Sequence, residues 1–184
     1  QTVDGYTRGQ MIVYNVRDWI DRGVRTTLTV ELPDAVGIGG PILHGPAAFD
    51  TVNRRFWVHY GLKHAFGSVT FSEDFTTATV GEMKYHLPTA MYFDSAMGRL
   101  YIASHRYGPP NGYLNAELAV YSADGNTRLA AVRLPIADPI DITVAPIAGE
   151  NTIVVASLAS GGFYPTGMVM LDPVSLQMSA PVST

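Results

Sequence analysis

The 184-residue chain predicts an all-β protein built from repeats of four antiparallel strands, and three observations carry that prediction. Strand segments rich in aromatic and β-branched residues recur at a nearly fixed spacing. Tight polar turns separate them, and helical periodicity is almost missing. Hydrophobic residues make up 47% of the chain and charged residues only 15%, which is too apolar for disorder and suits many buried strands.

The repeat is clearest in two segments 44 residues apart, Phe49-Asp50-Thr51-Val52-Asn53-Arg54-Arg55-Phe56-Trp57-Val58 and Phe93-Asp94-Ser95-Ala96-Met97-Gly98-Arg99-Leu100-Tyr101-Ile102. Each reads as a strand (a), a tight turn and a second strand (b). A third copy begins at Pro139 with Ile140-Asp141-Ile142-Thr143-Val144, is expected to turn at Gly149-Glu150-Asn151, and resumes at Ile153. Trp57, Tyr101 and Val154 are expected at equivalent inner positions of strand b. A third strand (c) follows each copy and also opens the chain: Ile12-Val13-Tyr14, Val69-Thr70-Phe71, Leu118-Ala119-Val120-Tyr121 and Val169-Met170-Leu171. Taking Tyr14, Phe71, Tyr121 and Leu171 as equivalents gives spacings of 57, 50 and 50. The fourth strand (d) ends at Leu32-Pro33, Leu87-Pro88 and Leu134-Pro135, where proline has no N–H to extend a ladder. A last d-like strand is expected between Gln177 and Val182. Asp18 to Gly23 reads as one helical turn or a loop, and is taken as a c–d loop.

Four strands in about 40–50 residues is the spacing of a propeller blade. The expected organisation is one partial β-propeller domain over 1–184: a half-blade at 10–33 and blades at 45–88, 89–135 and 136–184. The opening half-blade supplies strands c and d only, and the C-terminal strands already serve the last repeat. About three and a half blades leave the ring incomplete, with open edges that favour pairing. Another copy of the chain, or a second chain completing the ring, is the expected partner. A start at Gln1 rather than Met is expected of processing or of excision from something longer.

Phe93 to Ser104 resembles the "D-x-x-x-G-x-L-Y-V-A" strand pair of propellers of the YVTN, NHL and quinoprotein kind, and Val169 to Leu176 resembles their "V-x-V-I-D-x-x-T" strand. The first repeat departs, with Asn53-Arg54-Arg55 in place of the glycine turn. These motifs encode the blade and not an activity.

Several classes are set aside by composition. Net charge is −4 with scattered arginines, so no basic stripe suggests nucleic acid. The absence of cysteine excludes disulfides and thiolate metal sites. The uncharged stretch from Thr152 to Leu171 is interrupted by Gly161, Gly162, Pro165 and Gly167, so it reads as two strands around a turn and not as a membrane span. Gly37-Ile38-Gly39-Gly40 lacks the lysine and hydroxyl of a phosphate loop.

The resemblance implies that the d–a and b–c loops share a ligand face around the central channel. Three expected b–c loops, Tyr60 to Gly67, His105 to Tyr113 and Leu158 to Gly167, each combine glycine with an aromatic residue, and the d–a loop spans Asp34 to Gly45. The ligand-face candidates are therefore His44, His64 and His105, with Arg106, Tyr107, Asn111 and Tyr113 in the second b–c loop and Phe163 and Tyr164 in the third. Imidazoles there can bind a metal or move protons, although loop histidines more often cap backbone groups. Strand-borne His59 reads as structural, and Asp50 and Asp94 read as turn caps. Asp141, opening a strand a, is the candidate ligand for a divalent cation such as calcium. No catalytic residue can be named. The expected function is a propeller scaffold or binding module within an extracellular or cell-surface assembly, making contacts through these loops. The alternative is part of a lactonase-like hydrolase or a quinoprotein-like oxidoreductase.

Overall fold

Each repeat places its strand-forming residues beside their sequence neighbours, so every main sheet is an antiparallel meander. The computed structural model describes residues 2–3, 6–7, 10–32, 46–60, 65–108, 112–136, 138–157, 167–179 and 182–183. Strands β1 (Thr2–Val3) and β2 (Tyr6–Thr7) form a two-residue ladder. Strand β3 (Gln10–Tyr14), helix α1 (Val16–Arg22) and β4 (Thr27–Glu31) follow, with β3 and β4 paired as sheet A. Sheet B holds β5 (Ala47–Asp50), β6 (Arg55–Tyr60), β7 (Ala65–Phe71), β8 (Ala78–Val80) and β9 (Lys84–Tyr85). Sheet C holds β10 (Ala90–Asp94), β11 (Arg99–Gly108), β12 (Gly112–Ser122) and β13 (Arg128–Arg133). Sheet D holds β14 (Pro139–Ile147), β15 (Glu150–Ser157), β16 (Gly167–Leu171) and β17 (Val182–Ser183). The fold is all-β and propeller-like, and among the described residues no sheet closes on itself.

The turns explain why the strands stop where they do. Asp50 Oδ1 accepts the Val52 and Asn53 amides, and Asp94 Oδ1 accepts those of Ala96 and Met97. Both carboxylates are buried and serve as Asx caps of the a–b turns. The left-handed position filled by Gly98 (φ 60°) in sheet C is held in sheet B by Arg54 (φ 52°), which accounts for the irregular first repeat. At the c–d turns the hydroxyls of Ser72 and Ser122 donate to Asp74 and Asp124, which also accept the Thr76 and Asn126 amides. Those bonds hold both carboxyls down at about 2, against an ordinary 3.8.

Packing runs from sheet to sheet. Trp57, Ala48 and Phe66 of sheet B meet Met91, Leu100, Ile102, Ala119 and Tyr121 of sheet C. The opposite face of sheet C carries Tyr101, Ala103, Leu118 and Val120 against Ile142, Ile153, Val155, Val169 and Leu171 of sheet D. Sheet A turns Met11, Val13, Leu28 and Val30 toward Val69 and Phe71 of sheet B. Sheet C is thus buried on both faces, which is why Leu100 to Ala103 form a continuous buried run.

Five local expectations are corrected. First, Val69 and not Phe71 is the equivalent of Tyr121, since they pair with the equivalent Phe56 and Leu100. Asp18 to Arg22 are helical: Asn15 Oδ1 caps the Asp18 amide 3.0 Å away, and Gly23 (φ 66°) ends the helix. The third a–b turn sits one residue earlier than expected, at Ala148-Gly149, and Glu150 and Asn151 belong to β15. The d strand of sheet B is split, because the chain leaves the ladder between Val80 and Lys84. The expected loop from His105 to Tyr113 is largely strand, since β11 and β12 stay paired out to Gly108 and Gly112.

Trp57 is 1% exposed and stacks on Phe93 with ring centroids 5.0 Å apart. Replacing it with Ala removes the largest side chain between sheets B and C, and chemical denaturation is expected to show a loss of about 3–5 kcal/mol. A loss within experimental noise would show that this interface does not support the fold.

Candidate functional site

Most residues that the sequence nominated for a ligand face fall outside the described set: His44, His64, Asn111, Phe163 and Tyr164. His105, Arg106 and Tyr107 lie on β11 and Tyr113 on β12, so the strands carry them where a loop was expected. Asp141 lies on β14, exposed, with its Oδ1 accepting the Ile142 amide at 2.9 Å. Among the described residues no three His, Asp or Glu side chains converge as a metal centre.

Polar groups converge instead between sheets B and C. Arg55, the first residue of β6, reaches the next sheet and donates from Nη1 to the Ala123 carbonyl at 2.9 Å. Its Nε donates to Thr70 Oγ1 at 3.3 Å, and the guanidinium lies 5.8 Å from the Trp57 ring centre. Arg99, its equivalent in sheet C, donates to the Pro173 carbonyl of sheet D at 2.7 Å. The two contacts are one device used twice: an arginine at the start of strand b tethers the c–d turn of the following sheet. The corresponding residue of β15 is Thr152, which cannot make that reach.

Beside Arg55 opens a cleft of about 510 Å³, walled by β6 and β7 on one side and by the Asp124-Gly125-Asn126 turn on the other. Comparison of the ladders explains the opening. Trp57 pairs with Ser68 where Tyr101 pairs with Val120. Phe66 pairs with Lys84 where Leu118 pairs with Val132. Positions that fill the core between sheets C and D therefore carry a hydroxyl and an ammonium between sheets B and C. The break in the d strand adds room: Gly81 donates to the Ser68 carbonyl at 2.8 Å, and a Cβ on it would fall 2.6 Å from Ser68 Oγ. Gly125 (φ 72°) passes directly over the Trp57 indole, where a Cβ would meet Nε1 at 2.8 Å. That Nε1–H is buried without a partner. The sequence reading missed this site because it treated strands b to d as packing. The signal was a polar Ser68 and Lys84 at positions that are valine in the next repeat.

The same interface half-buries His86. Its Nδ1 lies 3.3 Å from the Tyr121 hydroxyl, and the ring meets the Phe66 edge. Burial pushes its pKa below 6.5 and Arg128 adds to the effect, while Glu117 opposes it.

No protein-family model and no curated protein sequence matches the chain. Among solved structures it is similar to hydrazine synthase of Kuenenia stuttgartiensis, with a TM-score of 0.57 and 11% identity over 76% of this chain and 36% of that one. A chain of a nidogen/laminin complex gives a TM-score of 0.49 at 12% identity, over 85% of this chain and 52% of that one. The chain thus spans about a third of the first and about half of the second. The likeness to the first is one of fold alone, and the class it supports is a propeller-like array of antiparallel sheets.

The half-buried imidazole gives a testable pH dependence. The unfolded chain takes up a proton on His86 near 6.5, whereas the folded chain does so only at lower pH. Stability is therefore fully present above 6.5 and is lost as pH falls below it toward the folded value. Unfolding free energies measured from pH 7.5 to 5 are expected to decline, and His86→Phe is expected to flatten that decline. An unchanged slope in the variant would show that another group titrates there.

Proposed function

We propose that the chain is a scaffold or binding module of the propeller type, akin to the YVTN, NHL and quinoprotein-like repeats, working within a larger extracellular or surface assembly. The observation that supports this most is the outer face of sheet D. Trp57 and Tyr101 are covered by the sheets that follow them, but Val154 at the same position is half-exposed. Register places Met170 beside Val154 and Met168 beside Ala156 on that face, and Met168 is 42% exposed. The strand edge of β3 away from β4 also has no partner among the described residues. Apolar faces and open edges of this kind are what another copy, or a second chain completing the array, would cover. The glycine- and aromatic-rich b–c and d–a segments are the proposed contacts for further partners.

Light scattering on the purified chain at micromolar concentration tests the assembly. Association is expected, and Met168→Glu is expected to shift the particle toward single chains without lowering the melting temperature. A wild-type chain that remains monomeric across the concentration range would overturn the proposal.

A further inference from the structure

The cleft between sheets B and C has a chemistry that the scaffold reading does not use. Its lining is mixed but not self-satisfied. The Lys84 side chain makes no ion pair or hydrogen bond among the described residues, and neither does the Glu82 side chain nearby. Asp124 is different, since Ser122 and Asn126 occupy its oxygens. The Trp57 indole N–H is buried and unpartnered beneath the Gly125 turn. A cation on a half-buried strand position normally finds a counter-charge. In sheet C the equivalents of Ser68 and Lys84 are Val120, which is buried, and Val132, which is partly buried against the same core, so the fold itself does not require polar groups there.

We propose that this cleft binds a small polyhydroxylated carboxylate, a sugar acid in chemical class. The carboxylate would take the Lys84 ammonium as its donor within the cleft that Trp57 also lines. Ser68 and Thr70 hydroxyls and the Glu82 carboxylate would meet the ligand's hydroxyls. Trp57 offers neither its N–H, which the Gly125 turn covers, nor a stacking platform, because Phe93 and Arg55 already lie against its ring, and it serves as a wall of the cleft. The volume of about 510 Å³ lies in the ordinary range of small-molecule sites.

Trp57 and Trp19 are the only tryptophans, so the indole N–H resonance of Trp57 reports directly on the cleft. Glucuronate, glucose and acetate are titrated separately into the labelled, full chain. Glucuronate is expected to move the Trp57 indole resonance in a saturable manner, with glucose and acetate weaker by about tenfold or more because each lacks half of the recognised groups. Lys84→Gln is expected to weaken glucuronate by about tenfold. Ser68→Val with Lys84→Val, which installs the residues that sheet C carries in the same register, is expected to keep the fold and abolish the response. No movement of the Trp57 resonance with glucuronate would overturn the proposal. So would an equal response to glucose or acetate, or one that survives in the folded double variant. The oligomeric state plays no part in this readout, so the site can fail while the scaffold proposal stands.

Discussion

A four-stranded antiparallel sheet with apolar residues on both faces is stable only when something covers each face. That requirement organises the whole chain. Sheet C meets it fully, with Leu100 and Ile102 turned one way and Tyr101 and Ala103 the other. Sheet B meets it with sheet A on one side and sheet C on the other. Sheet D meets it on one side, and the half-exposed Val154 marks where the requirement passes outside the described residues. Burial of one sheet therefore depends on the next being present, and the repeats share a stability that none holds alone.

The architecture was legible in the sequence because the signals that encode it are short-range. Asp at the end of strand a, a turn, and a b strand with a large inner residue can be read from ten residues, and Asp50 and Asp94 cap those turns as expected. Helix α1 showed only as the alternative of a single helical turn: it is one capped surface segment of seven residues with no buried side chain, so it leaves no periodic pattern. The continuation of β11 and β12 to Gly108 and Gly112 was missed because glycine and proline there read as loop. The cleft was harder still. It arises from the pairing of Ser68 with Trp57 and of Lys84 with Phe66, and register cannot be read from either strand alone.

Scaffold and small-molecule readings draw on different parts of the array, the outer face of sheet D and the interface between sheets B and C. The tether from Arg55 to Ala123 and the Trp57–Phe93 stack fix the separation of sheets B and C. The polar replacements then hollow out the space held open between them. A rigid frame with a locally emptied core is how a repeat architecture can gain a pocket without altering its turns or strand count.

The acceptor chosen by each arginine has a further consequence. Arg55 and Arg99 bind main-chain carbonyls, of Ala123 in one sheet and Pro173 in the next, two residues with nothing chemical in common. Since every amino acid carries that carbonyl, the receiving turn is free to vary in its side chain while remaining anchored. The polar share of the coupling between sheets B, C and D then rests on one donor per junction, beside the apolar packing. The receiving turns can be diversified with that donor and the facing apolar residues preserved.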